Sequence, residues 1–296
     1  MIGEFAALGA AICWTASAIL YKKALVETKP LPVNTIRCLG AGLFLLFCIA
    51  LIGFKTLTSI SIHALLLAST SGLVGLGLGD TLYLLSLKKL GVSRAVPLTC
   101  TYPLFNIIWA VLLAKEEVTF QVVLAAFTIV LGIWLLSYER GKGVENERKD
   151  SLIKGIVIAL ATAVIWSISI FMVNLALQET PDLEHALAIN TLRVISIAAI
   201  LLVIAPITHR GLGFFKIKRK VLAMILSGGI IALGIGWFFL ILSFAYISES
   251  QAVPISSTTP LFSTLLGAIF LHEKVTASVG LGSVMVVAGT VLIFII

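Results

Sequence analysis

Residues 95–119 read AVPLTCTYPLFNIIWAVLLAKEEVT, and residues 252–276 read AVPISSTTPLFSTLLGAIFLHEKVT. At an offset of 157 the two stretches share Ala-Val-Pro, a threonine at 101 and 258, Pro-Leu-Phe, a glutamate at 116 and 273, and a closing Val-Thr. A pattern of this length does not recur by chance, so the chain carries an internal repeat. The agreement spreads outward. Gly3, Ala7, Trp14 and Ser17 match Gly155, Ala159, Trp166 and Ser169 at an offset of 152, and Asn34-Thr35-x-Arg37 matches Asn190-Thr191-x-Arg193 at an offset of 156. Gly132 pairs with Gly289. The expected organisation is a first unit over 1–138, a charged linker over 139–154 and a second unit over 155–296.

The solvent of these units follows from composition. The 296 residues are 59% hydrophobic and 12% charged, with mean hydropathy +1.12, against roughly 45–50% apolar and about 25% charged in a soluble domain. Asp, Glu, Lys and Arg are missing from ten runs: 5–21, 38–54, 56–79, 95–114, 118–138, 155–178, 194–209, 221–248, 250–272 and 275–296. About 20 apolar residues carry a helix across a ~30 Å hydrocarbon core. The runs are continuous rather than alternating, which excludes barrel strands and leaves helices as the spanning form. The expectation is an all-α integral membrane protein with ten transmembrane helices, five in each unit. Because five is odd, the second unit enters the bilayer from the opposite side, and the two are inverted repeats. A soluble enzyme is excluded.

Placement of charge argues against nucleic acid as the partner of the +7 net charge. Across ten spans, 17 of the 21 Lys and Arg fall on one side and only Lys55 and Lys115 on the other. That asymmetry is a positive-inside signal. It expects a multi-pass protein of the cell membrane with both termini outside, and the linker in the cytoplasm. Residues 1–21 lack a basic leader region and are expected to be the first span rather than a cleaved signal. The four cysteines and four histidines show no metal-ligand or disulfide spacing, so no metal and no cofactor is expected. No Gly-x4-Gly-Lys-Ser/Thr stretch is present, so no nucleotide hydrolysis drives the molecule.

Two similar bundles in opposite orientations can exchange conformations and open a central site first to one face and then to the other. The duplicated A-V-P-x3-T-x-P-L-F ending in Glu-x-Val-Thr, with a Trp-x2-Ser first span and an early arginine in the second, resembles the EamA-type repeats of the drug/metabolite transporter superfamily. The resemblance covers residues 3 to 296. It implies a ten-helix secondary transporter, commonly an exporter of amino acids or other small metabolites, with a cavity between the halves. An integral membrane enzyme or a receptor for a lipid-linked or apolar small molecule is the alternative. Monomer and homodimer are both open.

Candidate site residues follow from polar groups inside the runs. Pro97, Pro103, Pro254 and Pro260 each remove a helix hydrogen bond and break the helix locally. Beside them stand Thr99, Thr101, Tyr102 and Asn106 in one unit and Thr258 and Thr259 in the other. Hydroxyl-rich broken helices at matching places point to a midplane site, or re-satisfy the carbonyls that proline frees. Trp14, Ser17, Trp166 and Ser169 lie mid-span, where tryptophan either walls a cavity or packs; Tyr83 and Trp237 are similar. Intramembrane charges are costly and are usually paired or functional. Arg37 and Asp80 lie at comparable depth, and an ion pair is expected. Asp80, the one acid deep within a span, is otherwise the group to couple transport to a proton or cation. At the position repeating Asp80 stands Trp237. Arg193 therefore pairs with loop acids such as Glu184 or Glu116, or binds an anionic group of the substrate. Glu116 and Glu273 read as caps or loop anchors.

Overall fold

The computed structural model of the chain describes residues 1–90, 95, 98–113, 115, 117–138, 149–208, 217–262 and 276–295. Among the described residues the regular structure is helical throughout. In order these are α1 (Ile2–Ala24), α2 (Pro30–Ile52), α3 (Ile62–Leu90), α4 (Tyr102–Leu112), α5 (Phe120–Tyr138), α6 (Lys149–Gln178), α7 (Leu183–Thr208), α8 (Arg219–Ser243), α9 (Glu249–Ser256) and α10 (Ala277–Ile295), with a single turn at Lys55–Ser59. Local chemistry sets the starts. Proline stands in the first turn of α2, where its missing N–H is no loss, and Ser61 caps α3 by accepting from the Ala64 N–H at 3.0 Å.

Six of these helices, α1, α2, α3, α6, α7 and α8, are long and apolar enough to cross a membrane, and the apolar parts of α4, α5 and α10 are shorter. Large side chains such as Leu43, Phe47, Phe127 and Val203 face outward, as a lipid-exposed bundle requires. The molecule is a multi-pass membrane protein.

Hydropathy alone does not reveal one feature that α3 and α8 share. Each changes to π-helical bonding over a glycine-rich segment, Gly72–Gly79 in α3 and Ile230–Gly236 in α8. A π-helical turn misaligns carbonyls that then need other donors. The repeated asparagines of α2 and α7 supply them: Asn34 Nδ2 donates to Leu76 O at 2.8 Å, and Asn190 Nδ2 donates to Leu233 O at 2.8 Å. Both asparagines are fully buried. The sequence repeat is thus a repeat of one structural device, in which a buried amide holds open a widened helix.

Contacts between the two units come in reciprocal pairs. Gly72 of α3 lies against the backbone of Arg193 in α7, and Gly229 of α8 lies against the backbone of Arg37 in α2. A Cβ at either glycine would meet a carbonyl oxygen closer than atoms can approach, which is why the small residue recurs. Away from this crossing, α5 and α10 pack along each other, with Gly132 against Val286 and Gly289 against Ile129. Residue i meeting j′ while i′ meets j is the signature of a two-fold relation.

Candidate functional site

Where α1, α2, α3, α4 with the segment before it, α6, α8 and the segment after α9 converge, a cavity of about 90 Å³ opens between the two units. One ordered water needs roughly 10–15 Å³ on the same measure, so the space holds several waters or a small organic molecule. Six aromatic rings wall it: Trp14, Tyr21, Tyr83 and Tyr102 from the first unit, and Trp166 and Trp237 from the second. They pack edge to face, with Trp14 to Trp237 at 5.4 Å and Tyr102 to Trp166 at 6.1 Å between centroids, the arrangement that aromatic quadrupoles favour.

One charged pair reaches this aromatic space. Arg37 Nη2 donates to Asp80 Oδ2, while Trp166 Nε1 donates to Asp80 Oδ1 at 2.8 Å. The carboxylate is therefore held by one donor from its own unit and one from the other. Arg37 is held in turn, its Nε donating to Asn34 Oδ1 at 2.9 Å and its guanidinium lying 5.0 Å from the centre of the Tyr21 ring. Asn34 so serves two masters, the widened turn of α3 and the arginine that pairs with it.

At the matching place in the second unit the chemistry differs. Arg193 is fully buried, and its guanidinium carbon lies 3.6 Å from the centre of the Trp237 ring. Its Nη2 donates to Ser169 Oγ at 2.9 Å, but its Nε and Nη1 meet no acceptor among the described residues. The expected pairing with Glu184 is not made: that carboxylate accepts from Thr56 Oγ1 at 3.1 Å, in the turn that precedes α3. Glu116, Glu273 and Pro97 lie outside the described residues.

The structure sorts the remaining candidates. Ser17, Thr99 and Thr259 line the cavity with Trp14, Tyr83, Tyr102, Trp166 and Trp237. Arg193, Ser169, Asn106, Thr101 and Thr258 do not line it. Thr101 Oγ1 donates to Leu98 O at 2.7 Å and Thr258 Oγ1 to Ile255 O at 2.8 Å. These two hydroxyls satisfy carbonyls at equivalent helix breaks, Cys100–Thr101 ahead of Pro103 and Ser257–Thr258 between Pro254 and Pro260. Ser169 is used up in a cross-unit exchange with Ser71, 2.9 Å between the hydroxyls.

Asp80 is not the one buried acid, as the run count implied. Glu249, in the first turn of α9, is 1% exposed and accepts from Asn106 Nδ2 and from Asn174 Nδ2, the latter at 2.6 Å. Sequence reading missed it because its charge served only to divide two apolar runs. A signal was available: the residue 157 positions earlier is Val92, so one copy carries an acid where the other carries a β-branched hydrocarbon.

The family model of the EamA-like transporter family matches residues 1–138 and 153–295. An uncharacterized transporter of Archaeoglobus fulgidus is 23% identical over 99% of this chain and 98% of its own length, and a second from the same organism is 31% identical over 47% of each. A solved crystal structure of a protein with 17% identity aligns at a TM-score of 0.75, covering 96% of this chain and 94% of the other; that likeness shows the fold alone. With both repeats matched and relatives named as transporters, the chain is a membrane transporter that belongs to the EamA-like transporter family.

Proposed function

We propose that this transporter moves a small metabolite or amino acid by alternating access, outward across the cell membrane, through two five-helix units inserted with opposite polarity. The observation that carries the reading is the cavity shared by both units, reached by packing contacts that are reciprocal between them. A two-fold pair of bundles around one site has two arrangements related by that axis, and exchanging them exposes the site to each side in turn. The walls suit a substrate with an apolar or aromatic part. Asp80, bridging Arg37 and Trp166 across the units, is the group we assign to coupling by a proton or cation: neutralising it releases both donors at once. The excess of Lys and Arg on one side supports an orientation with both termini outside.

Counterflow in proteoliposomes tests this, with amino acids, polyamines, sugars and nucleosides as preloaded panels. Transient accumulation of one labelled class is expected, and Thr99→Trp, which fills the cavity, abolishes it. Flux that survives Thr99→Trp at the wild-type rate overturns the site. Accumulation that is independent of pH in the wild type removes proton coupling through Asp80.

A further inference from the structure

The two arginine sites, laid over one another by the repeat, identify what the second one lacks. In the first unit Arg37 and the Trp166 indole N–H converge on a carboxylate, that of Asp80. In the second unit the equivalent arginine is Arg193, the equivalent indole is Trp14, and Trp237 replaces the aspartate. Arg193 keeps two nitrogens, Nε and Nη1, without an acceptor among the described residues, though it is fully buried. Trp14 Nε1 makes only a long contact to Ala232 O at 3.3 Å. Asp80 acts on Arg193 only at longer range, without an ion pair, and a buried guanidinium inside a membrane protein without a paired counter-ion is costly. The Trp237 ring offsets part of that cost by lying against it.

We propose that Arg193 and Trp14 form a subsite for the carboxylate of the transported molecule, which takes the place that Asp80 fills in the first unit. Trp237 screens the guanidinium from the cavity when the subsite is empty. It is the first residue after the π-helical segment Ile230–Gly236, and such segments occur frequently at functional sites. Rotation of the ring off the guanidinium uncovers Arg193 and lets the anion enter. The inference rests on the transporter reading for the identity of the ligand as cargo, and it narrows that cargo to carboxylates bearing an apolar body.

The test uses three probes of one shape: 3-phenylpropionate, 3-phenylpropanamide and 3-phenylpropylamine, titrated calorimetrically into the full-length chain in lipid nanodiscs. The wild type is expected to bind the acid about ten- to a hundredfold tighter than the amide, the scale of one hydrogen bond to a charged group. Arg193→Gln erases that preference, and Arg193→Lys keeps part of it. Trp14→Phe weakens the acid alone, and Trp237→Ala tightens it. Failure of the acid to bind, equal binding of all three probes, or a preference that survives Arg193→Gln overturns the subsite. Counterflow of the same acid separates the two claims. No counterflow with an intact Arg193-dependent preference sinks the transport reading and leaves the subsite standing, whereas counterflow without that preference does the reverse.

Discussion

The Arg37 and Arg193 sites share a frame and differ in chemistry. In both, an asparagine three residues before the arginine holds the carbonyls of a π-helical turn, and a glycine of the opposite unit presses on the arginine's backbone. In the first, the guanidinium is closed onto a carboxylate; in the second it rests on an indole with two donors unmet. Packing that positions a group can therefore be copied while the group it meets is not. The copied part fixes where each arginine sits, and the part that differs is what each arginine meets.

The sharpest way to break the contrast is to open the closed site. Asp80→Ala leaves Arg37 buried without a counter-ion, and we expect a loss of about 3–5 kcal/mol in unfolding free energy, read as a lowered midpoint in detergent titration. Trp237→Phe, which keeps an aromatic face over Arg193, should change the same midpoint by less than about 1.5 kcal/mol. The converse experiment makes the sites alike: Trp237→Asp gives Arg193 its own carboxylate and should abolish counterflow without lowering the midpoint. Wild-type flux in that variant would show that the difference between the sites is idle.

Next in size is the shared frame. Asn190→Ala strands the Leu233 carbonyl and should cost about 1–3 kcal/mol. Asn34→Ala should cost more, because Asn34 also accepts from Arg37 Nε. Equal losses would mean that the arginine takes no support from its asparagine. The smallest effect concerns a contact between the units at their exposed rim, where Ser61 and His63 of the first unit reach Glu179 of the second. Hydrogen bonds from Ser61 and then from His63 hold the Glu179 carboxylate below its usual range. A depressed carboxylate stabilises above its unfolded pKa, about 4.3, and that contribution fades as pH falls through the lower folded value. Exposure keeps it small. Glu179→Gln should flatten the midpoint's dependence on pH slightly between about pH 5 and 3, and an unchanged slope would show that the contact contributes nothing.

Much of this was legible in the sequence, for physical reasons that also set the limit. Continuous apolar runs and the duplicated proline motif report bilayer and repeat directly. Arg37 and Asp80 stood out because charge is rare within membrane spans, and their comparable depth places them within reach. The π-helical turns were hidden, since glycine spacing in α3 and α8 reads equally as close packing. Glu249 was hidden by its place at a run's edge, although it is folded inward between Asn106 and Asn174. The position of Arg193 behind Trp237, rather than in the cavity, depends on a ring orientation that no linear spacing encodes.

The indole of Trp166, donating to a carboxylate from across the unit boundary, has a spectroscopic consequence. A proton shared with an ionised acceptor is strongly deshielded, so its resonance should stand apart from those of the other four tryptophan indoles. Because Trp166 belongs to one unit and Asp80 to the other, that single line would exist only while the two are in register. It offers a clock on the molecule's motion that needs no attached label.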